Sequence, residues 1–403
     1  MNNDLDRRVL LGAAGLAGVA AMAGRGAAGP LNPPGGAVAG TGKTTDELWG
    51  KIARSDAGMA EARVPISVAT TPGDATNQFI IAQPGSYYLT ANITGVIGKA
   101  CIGIAVSGVT IDLNGYMLSG GTSSLAAIRL TAGSASELTI RNGQVRGWVA
   151  SPAVALDIVP GVQMTDVVIK DSGRVHLGDS ALVERCSVLD GRALGLQTGE
   201  MAVVRSCVFK ECGGTGLQVA SGVVESCAMV DNIGAGLLLS ARGAVRGCAA
   251  TGNSGAGFSV GAGCCVVDCI ASQNDIGFSL ASSIIDRCAA VANATTGISA
   301  GTNSVVVRCL AQGHSPGTGV LVTSSDVRVE SCQATDNGTG FASTSTGAIF
   351  IANTASGSST ANYTVPLGNY GLFVTAVSVA AAVNGSSGGT ALGTTDPRAN
   401  LSY

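Results

Sequence analysis

Val224-Glu225-Ser226-Cys227-Ala228-Met229-Val230-Asp231-Asn232 is followed by a second stretch of the same form, Val245-Arg246-Gly247-Cys248-Ala249-Ala250-Thr251-Gly252-Asn253. The cysteine of this pattern recurs as Cys186, Cys207, Cys227, Cys248, Cys269, Cys288, Cys309 and Cys332, with gaps of 21, 20, 21, 21, 19, 21 and 23 residues. A period near twenty marks a solenoid: one small unit cannot bury its own apolar face and has to stack on its neighbours. Three short strands are legible in each repeat. One is the G-[LFI]-x-[LV] piece, as in Gly236-Leu237-Leu238-Leu239 and Gly257-Phe258-Ser259-Val260. Another carries the apolar residue three before the cysteine, Val183, Val204, Val224, Val245, Val266, Ile285, Val306 or Val329. The third holds the cysteine and the residue two after it, such as Val188, Phe209, Met229 or Ala250. Three strands per turn of about twenty residues is a parallel β-helix, and the expectation is an all-β solenoid of about eleven rungs with capped ends.

Composition agrees with a narrow core. Apolar residues make up 46% of the 403-residue chain, yet aromatics only 4%, and there are 59 glycines. Charged residues, at 12%, are too few for a disordered polyelectrolyte or a strongly basic face, so no nucleic-acid partner is expected. A net charge of −3 points to no particular partner.

The residues resemble the right-handed parallel β-helix repeat proteins, the superfamily that includes pectate-lyase-like polysaccharide enzymes. Asn232, Asn253, Asn274, Asn293 and Asn337, each five after a cysteine, are similar to the stacked turn asparagines of that family. Asparagine tolerates left-handed backbone, and its amide reaches the same group one rung away, about 4.8 Å off. The resemblance covers roughly residues 100 to 350 and implies a fold rather than an activity. It also implies that a substrate groove, where there is one, lies along one parallel sheet. Gln83-Pro84-Gly85-Ser86-Tyr87-Tyr88-Leu89 and Ile351-Ala352-Asn353-Thr354-Ala355-Ser356-Gly357 further resemble the ends of exported bacterial β-helix proteins.

Outside the repeats, Arg7-Arg8 and the apolar run to Ala21-Met22-Ala23 read as a signal peptide over residues 1–23, similar to a twin-arginine signal although Asp6 departs from that motif. The run is about 15 residues, short of the roughly 20 that span a bilayer, so no transmembrane segment is expected in the mature chain. Residues 24–63 read as a linker with a short helix near Asp46 to Ile52, 64–100 as an N-terminal cap, 101–351 as the β-helix and 352–403 as a C-terminal cap. Gly40-Thr41-Gly42-Lys43-Thr44 is not a phosphate loop, because Ala37 stands where that motif needs glycine.

Stacked cysteines would have parallel Cβ vectors that do not converge to the roughly 3.8 Å a disulfide needs, so buried, reduced thiols are expected. The alternative is a soft-metal site where Cys264 and Cys265 approach Cys248 and Cys269, but no C-x-x-C pair supports it. No metal site and no cofactor are expected. Charges two before each cysteine, Glu184, Arg205, Glu225 and Arg246, alternate in sign as a register device.

Candidate chemistry lies on the outward position of the G-[LFI]-x-[LV] strand. Aligned by the flanking apolar pair, it reads Arg129, Asp157, His176, Gln197 and Gln218, then Leu238, Ser259, Ser279 and Ser299. The polar half is a ligand-binding candidate, with Trp148 in an insertion as a stacking wall for a sugar. His176, Asp157 and Arg129 are weak catalytic candidates, since a glycosidase wants two carboxylates and a calcium-dependent lyase a carboxylate cluster. His314, standing where the repeat has asparagine, reads as a turn substitution rather than a base. The expectation is an exported periplasmic, cell-surface or extracellular protein, structural or interacting with a polysaccharide or cell-envelope glycan. The alternatives are a polysaccharide lyase or glycosidase and an adhesin-like protein-binding solenoid.

Overall fold

The computed structural model describes residues 62–121, 125–131, 133–149, 152–375 and 396–402. The signal segment, the twin arginines and the expected helix near Asp46 lie outside the described residues. Among the described residues there is no helix, and none long and apolar enough to cross a membrane.

Every strand pairing between successive turns is parallel. One sheet has 14 strands, from Asn77–Ile81 to Ala361–Thr364, and it collects the G-[LFI]-x-[LV] strands. A second, of 27 strands, is two columns joined where Leu138–Arg146 and Gln163–Lys170 run unbroken through both. Its first column carries the valine three before each cysteine, and its second the residue two after. The solenoid therefore has about 14 turns rather than eleven. The difference arises at both ends, where segments without the cysteine stack in the same parallel register: Asn77–Ile81 on Ala100–Ile104, and Thr354–Ser356 on Gln333–Thr335.

In the second column the inward residue is Val188, Phe209 and Met229, then Ala250, Ala271, Ala290, Ala311 and Ala334. Where this wall shrinks to Ala250 and Ala271, the other sheet changes from Leu217 and Leu237 to Phe258 and Phe278, whose rings stack 5.0 Å apart and fill volume that close packing requires. The next two turns carry Ile298 and Val320 there instead.

Three residues per turn take left-handed backbone, which bends the chain at its corners. One leads into the first-column strand (Ser180, Met201, Arg242, Ser282), one directly precedes the cysteine (Arg185, Ser206, Ser226, Asp268), and one follows it by four (Asp190, Glu211, Asp231, Ala292). The ladder asparagine is not left-handed; its neighbour is, and the asparagine amide serves only as a bracket between rungs. Asn253 Oδ1 accepts the backbone N–H of Asn232 at 3.1 Å and its side-chain amide at 2.8 Å, while Asn253 Nδ2 donates to the Met229 carbonyl at 3.1 Å. Cysteines form a parallel bracket: the N–H of Cys227 reaches Cys248 Sγ at 3.4 Å, and that of Cys248 reaches Cys269 Sγ at 3.4 Å. All twelve cysteines are free, and all but Cys265 are buried.

At the far end asparagine replaces cysteine. Asn353 Oδ1 takes the N–H of Cys332 at 2.9 Å, and Asn400 Oδ1 takes that of Asn353 at 3.1 Å. The strand Asn400–Ser402 is inserted between Thr354–Ser356 and Phe373–Thr375, so the last chain segment fills the bracket of the final turn.

Candidate functional site

Strand register, not spacing in sequence, decides which side chains share the outer face of the 14-stranded sheet. Running along it are Ile80, Gly103, Arg129, Ala155, His176, Gln197, Gln218, Leu238, Ser259, Ser279 and Ser299. Arg129, His176, Gln197 and Gln218 therefore share one strip, as the spacing predicts. Ala155, however, occupies the position expected for Asp157, which is exposed in the turn after the strand Val154–Leu156. Asp157 remains close enough to act on His176 electrostatically.

Trp148 does not wall the strip. It is 0% exposed, and its indole Nε1 donates to the Leu118 carbonyl at 3.0 Å. A large apolar ring with one donor is stable inside once that donor is satisfied, so Trp148 fills the core of its turn instead of facing a ligand.

Arg129 is partly committed to the fold. Its Nε donates to Asn77 Oδ1 at 2.9 Å and a terminal nitrogen to the Thr76 carbonyl at 3.3 Å, two turns away. The guanidinium can lie across the intervening turn because Gly103 has no side chain: a Cβ there would come within 2.8 Å of Asn77 Oδ1. Arg129 thus closes one end of the strip, leaving His176, Gln197 and Gln218 as its half-buried hydrogen-bonding stretch.

Burial pushes the His176 imidazole below its usual range; Asp157 acts in the opposite direction and Arg174 in the same one. At neutral pH the ring is uncharged, with one nitrogen donating and one accepting. With the two glutamine amides it forms three adjacent donor–acceptor groups at the interstrand spacing of about 4.8 Å. That suits hydroxyl-rich ligands. It does not supply the paired carboxylates of a glycosidase, and among the described residues no group of three His, Cys, Asp or Glu side chains is placed to hold a metal ion.

Two features escaped the spacing argument. Arg174 stands two residues before His176 on the approach to its strand. An open depression of about 360 Å³ lies at the corner leading to the 27-stranded sheet, with Ser136, Glu137, Thr139, Gln163 and Ser180 among its lining residues. Glu137 and Ser180 are left-handed corner residues there, which turns them outward. Corners vary in length from turn to turn, so only the structure aligns them.

The pattern describing the right-handed β-helix region matches residues 94–276 and 222–358. Comparison with curated proteins finds no match. Among solved structures, the A-module of mannuronan C-5 epimerase AlgE4 from Azotobacter vinelandii is similar, with TM-score 0.49 and 14% identity, over 71% of this chain and 90% of that one. The Dettilon tailspike protein is similar with TM-score 0.44 and 11% identity, over 57% of each chain. The catalytic unit of a GH87 alpha-1,3-glucanase from Streptomyces thermodiastaticus is similar with TM-score 0.39 and 14% identity, over 85% of this chain and 68% of that one. At these identities the likeness is one of fold alone. With two overlapping matches running from residue 94 to 358, the chain belongs to the right-handed β-helix family.

Proposed function

We propose that this chain is an exported, non-catalytic β-helix that binds a polysaccharide or cell-envelope glycan along the strip His176, Gln197 and Gln218, with Arg129 and Asp157 at its margin. The observation that carries the reading is the in-register stack of the neutral imidazole and two amides on one sheet face. Repeating donor–acceptor groups at a fixed spacing match a polymer of hydroxyls better than a compact metabolite. Export is supported by Arg7-Arg8 and the apolar run that follows.

Catalysis is the competing reading, and it rests on one pair, the imidazole of His176 with Asp157 acting on it. Incubating the purified protein with acidic and neutral polysaccharides separates the two. Retention of polymer without cleavage is the expected result. New reducing ends or unsaturated products that vanish in His176→Ala would replace binding by lyase or hydrolase activity.

A further inference from the structure

The first column of the 27-stranded sheet carries an outward pattern that the glycan strip does not use. Its outer residues include Leu182, Val203, Val223 and Ala244 on four successive turns, all half-buried only by one another and their neighbours. Two residues further along the same strands stand Glu184, Arg205, Glu225 and Arg246, also in register. An apolar ridge beside a charged ridge on a regular sheet face offers a partner apolar area and charge complementarity together.

We infer that this face is a homodimer interface in which a second copy packs antiparallel about a two-fold axis lying along the strands, between the turns of Val203 and Val223. Such an axis reverses the order of turns while keeping each ridge opposite itself. Val203 then meets Val223 of the second copy, and Leu182 meets Ala244. The charges decide the choice of axis. Reversing Glu-Arg-Glu-Arg gives Arg-Glu-Arg-Glu, so Arg205 faces Glu225 and Glu184 faces Arg246, each pairing occurring twice. An axis along the solenoid would instead set turns of equal number side by side, with like charges opposed. One turn further out on each side, Thr165 meets Val267 without conflict, and beyond that Arg141 meets Asp286.

Eight turns at about 4.8 Å span roughly 34 Å, and strands of three to four residues are about 10–13 Å wide, so the strands give on the order of 400 Å² per copy and the flanking corners have to supply the rest of the roughly 800 Å² a side of a standard specific interface. Within one copy Glu184 already pairs with Arg205. Glu184 is only 8% exposed and is held by Arg185 and Arg205 of its own chain, so the central Arg205–Glu225 pairing, made twice, sets register as well as attraction.

Sedimentation velocity on the full chain tests this, with a thermal melt of each variant to confirm folding. The wild type should sediment at twice the chain mass. Glu225→Arg, which sets two arginines against Arg205 and its counterpart, and Val223→Lys should each weaken dimerisation at least tenfold. The double variant Arg205→Glu with Glu225→Arg should restore the dimer. A monomeric wild type would overturn the inference. A dimer indifferent to both single substitutions would place the contact elsewhere or in another register, and failure of the double variant to recover would contradict the proposed axis.

Discussion

His314 Nδ1 accepts the backbone N–H of Asn293 at 2.9 Å, the bond that the side-chain oxygen of an asparagine makes on neighbouring turns. Its Nε2 lies 3.2 Å from the Ala290 carbonyl, where those asparagines place their amide nitrogen. One ring nitrogen therefore accepts and the other donates, which requires the neutral Nε2–H tautomer.

Stability should consequently fall in acid. Burial lowers the titration of His314 in the folded chain, whereas in the unfolded chain a histidine protonates near pH 6.5. The native state thus binds the proton less readily, and its stability is fully present above about pH 6.5 and lost as the pH drops below it. His314→Asn should flatten that slope in urea titrations between pH 5 and 8. The residual slope should belong to His176, the other histidine, which is shifted in the same direction. An unchanged slope would refute the tautomer assignment.

Removing a bracket should cost more than its area. Asn253→Ala leaves the N–H of Asn232 and the Met229 carbonyl without their partner inside the fold. Unsatisfied buried groups cost about 1–3 kcal/mol each, so a loss of roughly 2–4 kcal/mol in chemical unfolding is expected. Asn253→Ser, which keeps an acceptor, should lose less.

Ala292 occupies a left-handed corner at φ 51°, where Gly252 and Gly313 stand in other turns. A Cβ is disfavoured there, although glycine loses more entropy on folding. Ala292→Gly should raise stability by about 0.5–1 kcal/mol, read as a shift of the urea midpoint with unchanged m value.

Thiol titration in denaturant without reductant should count all twelve cysteines. In the folded chain Cys265 is the one cysteine not buried, and because it follows Ala244 on the face assigned to the second copy it should react quickly in the monomeric Val223→Lys variant and slowly in the dimer. Burial pushes the Cys101 thiol up to about 12 and Cys212 up to about 11, far from a reactive thiolate at neutral pH. A count near zero would mean the ladder is oxidised.

The fold was legible in sequence because the cysteine period and the valine three before it report inward columns directly. The number of turns was not, since Phe79, Ile102 and Ile128 stack in the same register without a cysteine of the ladder period to mark them. Asp157 was displaced for a related reason. Val154-Ala155-Leu156 and Leu156-Asp157-Ile158 are both apolar-x-apolar frames, and a period-two pattern cannot distinguish a shift of two. The structure chooses the first frame, with Ile158 64% exposed. Trp148 was misassigned because its partner, the Leu118 carbonyl, lies 30 residues away and no local pattern points to it. His176, Gln197 and Gln218 were legible because their turns have no insertion between them.

The most direct test of the glycan-binding account is a calorimetric titration of a soluble polysaccharide retained by the protein. Saturable binding that weakens at least tenfold in Gln197→Ala with Gln218→Ala, at an unchanged melting temperature, is the predicted result. Binding of equal strength in that double variant, or no binding to any acidic or neutral polysaccharide, would contradict it.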